Sequence, residues 1–442
     1  MNVVGAELAV SVMLSSLVRR GVCPNFVVTR GVFSCPFKPP ENIWGSADNK
    51  RPKGNKYESP KTRKRVPKEP KASGRYQYIR MELCDAGDAE EFLKAQPDEA
   101  LPAHEARQLV FQIAYALHAA ADRFSLKHYD VKLLNIFLQH AGNVEKSGDV
   151  VMRYGLGEHT FALRSPKDRA LVAKLADYGT ANVEPASTGQ PVTIAQFTTM
   201  ENSPPDFFLL GDKATQGHGH DNFGLGLCML HLFTGHAPYE EILEELTCPK
   251  NLKKKLEWLW EDEQVAEFSV VRSVILNNVY KDEAGHIIEG EPDEVFYNTL
   301  YRYLVLFGIP EDSPLMGGKV LDAIRESLKG KNDGRSRLGR SEKAKRKGDS
   351  TDAGRFKGDR NKYSLKHGNC KYISRARQSL KEMDGGLDLL MSLVSFDPEK
   401  RATASDVLNS SFMAPLREAT GEMLYNPEDT VYSYNAFSTL IS

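Results

Sequence analysis

Apolar residues recur at spacings of three and four at the start of the chain: Val3, Ala6, Val10, Met13 and Leu17. That period puts them on one face of a helix over residues 3–18. Glu7 sits at the edge of the stripe, one turn from Val3 and from Val10. Gly21 and Pro24 break the pattern. Phe26 to Thr29, then Gly31 to Phe33, read as a strand and a second short strand or turn. Tyr76 to Leu83 alternates as a strand and gives way to the polar run Cys84 to Asp88. Leu109, Ile113, Leu117 and Ala120 mark a helix starting near Pro102. Residues 221–234 are apolar on every side, the pattern of a helix buried all round. Asp221 and Asn222 at its start and His231 inside it favour a soluble core over a membrane, and Gly235 predicts its stop. Residues 239–325 carry an amphipathic helical pattern. Residues 387–394 and 404–412 predict two further helices.

Two stretches lack such a period. Residues 36–74 are rich in Pro, Lys, Gly and Asn and read as a loop insertion. Residues 329–377 read as a low-complexity basic insertion. Residues 50–71 hold 10 Lys and Arg against 2 acids, and residues 329–377 hold 17 against 5. Setting aside those 27 basic and 7 acidic residues leaves 31 basic and 52 acidic, so the near-neutral chain has an acidic body with a net charge of −21. Blocks of like charge without apolar periodicity predict solvated, disordered segments. Deleting residues 331–370 is accordingly expected to leave the thermal midpoint nearly unchanged. Lys61 to Arg65 has the composition of a nuclear import signal, although a solvated linker accounts for it better.

The six cysteines form no C-x-x-C pair, which argues against a zinc module and fits a reducing, intracellular compartment, cytoplasmic or nuclear. The apolar start contains Glu7 and is followed by Arg19 and Arg20, which fits neither a signal peptide nor a membrane span. Nucleic acid is disfavoured as a partner. Residues 50–71 interleave only Tyr57 with their charges, and residues 329–377 only Phe356, Tyr363 and Tyr372.

The chemistry-bearing segment is His128-Tyr129-Asp130-Val131-Lys132-Leu133-Leu134-Asn135, followed by the apolar Ile136-Phe137-Leu138. Downstream, Leu171 to Ala176 leads into Asp177-Tyr178-Gly179. An Asp with a Lys two residues on places opposite charges around one transferring group. Asn135 and Asp177 add hard oxygen ligands that suit magnesium. Phosphoryl transfer needs those parts: a carboxylate beside the attacking hydroxyl, a cation at the γ-phosphate and oxygens for the metal.

The order H-x-D-x-K-x-x-N, then D-Y-G, resembles the eukaryotic protein kinase family. Thr198 to Asp206 resembles the end of a kinase activation segment, with Thr199 and Pro205-Asp206 in the places of the family's Thr and Pro-Glu. Asp221 and the helix after it resemble the central helix of the large lobe. Asp397 to Thr403 resembles the closing D-P-x-x-R-x-T, which implies that Arg401 pairs with Asp206. The resemblance implies an α+β, two-lobed fold with an incomplete N-terminal β lobe and a largely helical C-terminal lobe. The small lobe would occupy residues 1–82, the large lobe residues 83–420 with insertions at about 139–170 and 329–377, and a tail residues 421–442.

It also implies ATP and Mg²⁺ as cofactors, a protein substrate, and transfer to Ser or Thr, since Lys132 is the Ser/Thr form of that loop. Met81 would be the gatekeeper of the adenine pocket, and the backbone of Glu82 and Cys84 would bind the base. Asp88 would approach the ribose, and Phe137 would form the floor. The chain departs from the family in three ways. No Gly-rich loop or phosphate-anchoring Lys precedes the first helix, in which Glu7 is the candidate partner of that Lys. Tyr129 replaces the usual Arg, and Asn135 lies far from Asp177. The first departure gives two expectations, a truncated start or a degenerate, scaffold-like kinase. With the first strands missing, the helix over residues 3–18 should expose an apolar stripe, and the chain alone should be poorly soluble and inactive.

Overall fold

The computed structural model describes residues 3–35, 76–141, 148–193, 196, 202–209, 214–261, 294–310, 318–329, 352–418 and 429–435. The basic loop expected over residues 36–74 and the candidate Thr199 lie outside the described residues.

The first helix, α1 (Val3–Arg19), buries Val10, Leu14 and Leu17 and leaves Val12 exposed. It packs against β1 (Thr29–Cys35), which pairs antiparallel with β2 (Tyr76–Met81). Val32, Phe33, Ile79 and Met81 of this two-stranded ribbon are exposed, whereas the helix stripe expected to be exposed is buried at Val10, Leu14 and Leu17, because α1 packs on β1.

The large lobe is built around α3 (Ala103–Phe124) and α5 (Gly219–Thr234). Helix α5 buries every residue from His220 to Thr234, and Gly235 ends it at φ 80°, where a side chain would run into the Glu99 carbonyl. A short helix, α2 (Ala89–Lys94), precedes α3, and between α3 and α5 come the ribbon of β3 (Ile136–His140) and β6 (Leu171–Leu175), and α4 (Pro205–Leu209). After α5 follow α6 (Lys250–Glu261), α7 (Glu294–Leu306), α8 (Gly318–Lys329), α9 (Asp352–Tyr363), α10 (Lys371–Glu382), α11 (Gly386–Leu393) and α12 (Ala404–Asn409). Helices α3, α10 and α11 pack on α5, and α12 packs on α3.

The basic stretch 329–377 departs from the disordered insertion expected of it. Its second half forms α9 and most of α10, which bury Phe356, Tyr363, Ile373, Ala376 and Leu380. Leu365, between them, is fully buried, and its N–H donates to the Leu306 carbonyl. The charges occupy the outer faces, so charge density alone misreads a helix whose apolar residues recur at three and four. A deletion through residues 352–370 therefore removes core and is not neutral.

The insertion after Asn135 forms a hairpin, β4 (Val150–Leu156) and β5 (His159–Ser165), turned at Gly157. A third strand, β7 (Thr430–Asn435), adds parallel to β4. Tyr434 packs on Tyr154, whose ring meets Phe111 and Tyr115 of α3. The Asn435 N–H donates to the Gly21 carbonyl just beyond α1, so this last strand spans from the insertion to the small lobe.

Candidate active site

The segment 128–135 is irregular backbone, and the molecule fixes it from several sides. Asp221, at the start of α5, accepts the N–H groups of His128 and Tyr129, both at 2.7 Å. Tyr129 sits at φ 63°, a left-handed conformation that these two bonds hold in place. Burial pushes the Asp221 carboxyl up to about 7, opposed by the two N–H groups. Gly224, one turn along α5, lies against Val131. A Cβ there would stand 2.8 Å from the Val131 carbonyl oxygen, so only glycine admits the segment this close.

His128 is buried and neutral. Its Nε2 is 3.0 Å from the Ala176 carbonyl, which can only accept, so Nε2 carries the proton and Nδ1 accepts the Asp130 N–H at 3.3 Å. Thr180 donates its hydroxyl to the His128 carbonyl at 2.8 Å. These bonds join the 128–135 segment to Ala176 and Thr180 on either side of Asp177.

Asp130 is nearly buried, and its Oδ2 meets Lys132 Nζ and Asn135 Nδ2, both at 2.9 Å. Asn135 Nδ2 also donates to the Asp130 carbonyl at 2.9 Å. The amide is thereby oriented, with its Oδ1 turned away from Asp130. The Ala176 N–H donates to the Asn135 carbonyl at 3.0 Å, so Asn135 and Asp177 leave the β3–β6 ribbon at the same end. Asp177 is exposed at φ 61°, and its Oδ1 accepts the Gly179 N–H at 3.4 Å. An oriented amide oxygen and an exposed carboxylate at one ribbon end fit a hard divalent cation. Tyr178 is buried edge-on to His128, and its hydroxyl donates to the Leu175 carbonyl at 2.5 Å.

Arg401 Nη2 donates to Asp206 Oδ1 at 2.6 Å, the pairing that the resemblance implies. Burial pushes the Asp206 carboxyl up, and the guanidinium pulls it back.

The remaining candidates are placed as follows. Met81 and Phe137 are both partly exposed, at 42% and 36%, so neither is core packing. Among the described residues, the Glu82 carbonyl and the Cys84 N–H make no hydrogen bond, while the Glu82 N–H donates to Val28. Asp88 caps α2, its Oδ1 accepting the N–H groups of Glu90 and Glu91 at 3.0 and 2.8 Å. Glu7 is half-buried on α1.

The resemblance marks Asp221 at the head of the central helix, but not the two backbone N–H groups that it accepts. The buried pair of Glu82 and Lys174, 2.9 Å apart, had no local signal. Glu82 Oε1 also accepts the Val28 N–H at 2.6 Å, and Lys174 Nζ donates to the Pro24 carbonyl at 3.2 Å, so the pair joins β2, β6 and the strand entry after α1. A cavity lined by Glu90, Lys132, Leu134, His231, Tyr239 and Glu240 opens beside the catalytic segment.

Two buried histidines make the fold acid-sensitive. His220 packs against Tyr129 and Phe207 and is lowered to about 3 by burial first and then by Arg401. His231, on the cavity wall, is lowered to about 4, again mainly by burial. Both are neutral when folded, whereas the unfolded chain binds protons near the ordinary histidine value. Their stability contribution is therefore full above about pH 6.5 and is lost as pH falls toward the folded values. At pH 5 the loss is ~2 kcal/mol for each imidazole. Asp221, raised to about 7, works in the opposite sense over the same range, so the difference between two chains is the readout. Between pH 7 and 5 the calorimetric midpoint of His220→Phe is expected to move upward relative to that of the wild type by the equivalent of ~2 kcal/mol. Equal pH dependence in the two chains would contradict the assignment.

A two-lobed α+β fold holds an Asp–Lys pair, an oriented amide oxygen and a second carboxylate at the end of one ribbon. A family model for the protein kinase domain matches residues 71–413, and the chain belongs to that family. The family's activity is phosphoryl transfer from ATP. No curated protein matches the chain. Among the described residues, no helix is long and apolar enough to cross a membrane.

Proposed function

We propose that this protein is a Ser/Thr protein kinase with residues 128–135 and Asp177 as its catalytic centre. The observation that supports this best is the 2.9 Å approach of Lys132 Nζ to Asp130 Oδ2 on a segment that Asp221 fixes by its backbone. Asp130 orients the Ser or Thr hydroxyl of the substrate and takes up its proton. Lys132 stands beside it as the cation for the charge that develops on the transferring group. Asn135 Oδ1 and the Asp177 carboxylate hold magnesium, which when bound with ATP supplies charge neutralisation at the phosphates. The Glu82 carbonyl and the Cys84 N–H receive the adenine edge, with Met81 behind and Phe137 below. The cavity beside Lys132 lies where a protein substrate would run. Thr199 belongs to the activation segment in this reading.

The second reading is a kinase-like scaffold that binds partners through its large lobe. Calorimetric titration with Mg-ATP separates the two. The wild-type chain is expected to bind Mg-ATP, and Asp177→Ala to weaken that binding at least about tenfold, a loss of ~1.4 kcal/mol or more. Equal affinity in the variant removes Asp177 from the metal site. No binding by the wild-type chain leaves the scaffold reading.

A further inference from the structure

Lys127 precedes the catalytic segment and is fully buried. Burial holds its ammonium below the ordinary lysine range. Among the described residues no carboxylate lies within ion-pair distance of it. Nζ instead donates to three neutral oxygens: the Ser125 carbonyl at 3.3 Å, the Glu184 carbonyl at 3.1 Å and Thr188 Oγ1 at 3.0 Å. Ser125 is the left-handed cap of α3, while Glu184 and Thr188 belong to the stretch that follows Asp177-Tyr178-Gly179. The Asp221 and Glu184 carboxylates act on it only from beyond contact, so the three oxygens must stay in place to offset its desolvation.

The backbone adds to this. Lys127 and Asn182 exchange N–H···O bonds, both at 2.8 Å, forming an antiparallel bridge. Ser187 Oγ donates to the same Glu184 carbonyl at 2.8 Å, and the Gly189 N–H donates to the Gln216 carbonyl at 2.9 Å. Each of these anchors is a group of the chain itself.

We propose that Lys127 is a positioning residue whose ammonium fastens residues 184–188 to the catalytic segment, so that this stretch keeps its shape without phosphorylation. The proposal rests on reading residues 128–135 and 177 as the catalytic centre. Lys127 touches neither Asp130 nor the nucleotide site. It acts through the segment that must lie beside Asp177 for a substrate to dock.

The test uses the full 442-residue chain after phosphatase treatment, compared with Lys127→Met and Lys127→Arg. Methionine keeps the buried stem and removes the charge, so the thermal midpoint should hold or rise. Amide hydrogen exchange at Asn182, Ser187, Thr188 and Gly189 is expected to accelerate about tenfold or more in Lys127→Met, with exchange in α3 unchanged. Transfer of phosphate to casein should fall about tenfold while Mg-ATP affinity stays the same, a split that mere loss of fold does not give. Lys127→Arg should recover both readouts in part. Unchanged exchange in Lys127→Met overturns the proposal. So does wild-type protein whose exchange over these residues rises on phosphatase treatment. If the wild-type chain transfers no phosphate at all, the catalytic reading fails, and the exchange data still decide what Lys127 does.

Discussion

Asp130→Asn is expected to lower the rate of phosphoryl transfer to a generic Ser/Thr substrate by about 10²–10⁴-fold, the usual worth of a positioned acid–base group. The substitution is nearly isosteric. An Asn oxygen can still accept from Lys132 Nζ and Asn135 Nδ2, which the Asp130 Oδ2 now serves. The backbone of the segment is held by Asp221 and not by the Asp130 side chain, so the shape of the loop should survive. What disappears is the negative charge that takes the hydroxyl proton. The thermal midpoint should move little, and Mg-ATP affinity should be close to that of the wild type. A variant that kept most of the wild-type rate would remove Asp130 from the role of base and redirect attention to other carboxylates near the cavity beside Lys132.

The largest effect on stability is expected from Arg401→Met. The guanidinium is 1% exposed and the Asp206 carboxylate 5%. Besides Asp206, Arg401 donates to the Ser395 carbonyl at 2.9 Å and the Gly219 carbonyl at 2.8 Å, and it lies over the Phe223 ring. Removing it leaves a buried carboxylate without its counter-charge and two carbonyls without their donor. Breaking such a pair costs ~3–5 kcal/mol. Denaturant unfolding should show that loss, and adding Asp206→Leu to the same chain should recover a large part of it, because the stranded charge goes too. A single variant within about 1 kcal/mol of wild type would mean that the pair is replaceable by water. The position matters beyond stability. The pair ties the start of α4 to the turn before α12, with α5 between them, and α5 carries the Asp221 that sets the catalytic segment.

Much of this was legible in the sequence. Residues 221–234 are apolar all round because α5 is enclosed by α3, α10 and α11. The spacing from His128 to Asn135 is legible because phosphoryl-transfer chemistry constrains it, and local contacts such as Asn135 to Asp130 realise it. The failures share a cause in partners that are distant or outvoted. In α10, Ile373, Ala376 and Leu380 recur at three and four, yet the seven basic residues from Lys357 to Arg377 dominate any window average. Composition then overrides a period that was present. In β7, Tyr432 and Tyr434 alternate with exposed neighbours, but a lone strand has no meaning without β4 beside it. Asp88 shows another limit. It reads as a ligand-facing acid in a polar run, and the structure commits one of its oxygens to the start of α2. Lys127 looks like one more surface cation. Its burial follows from the path of the stretch after Asp177, which no local pattern reveals.

The pairing of β7 with β4 also constrains how the chain is made. Asp149 and Asp429, joined by a hydrogen bond at the head of these strands, are 280 residues apart. Contacts of that sequence separation form late, because a long loop must close before they can. During synthesis, β4 and β5 emerge with the β4 edge unpaired, and they stay so until residues 429–435 have left the ribosome. From the synthesis of residue 165 until that of residue 435 this hairpin carries an open strand edge whose natural cover does not yet exist. Slow translation of that span should prolong the exposure and favour aggregation, whereas a chaperone that holds the edge until β7 arrives should raise the yield of folded protein.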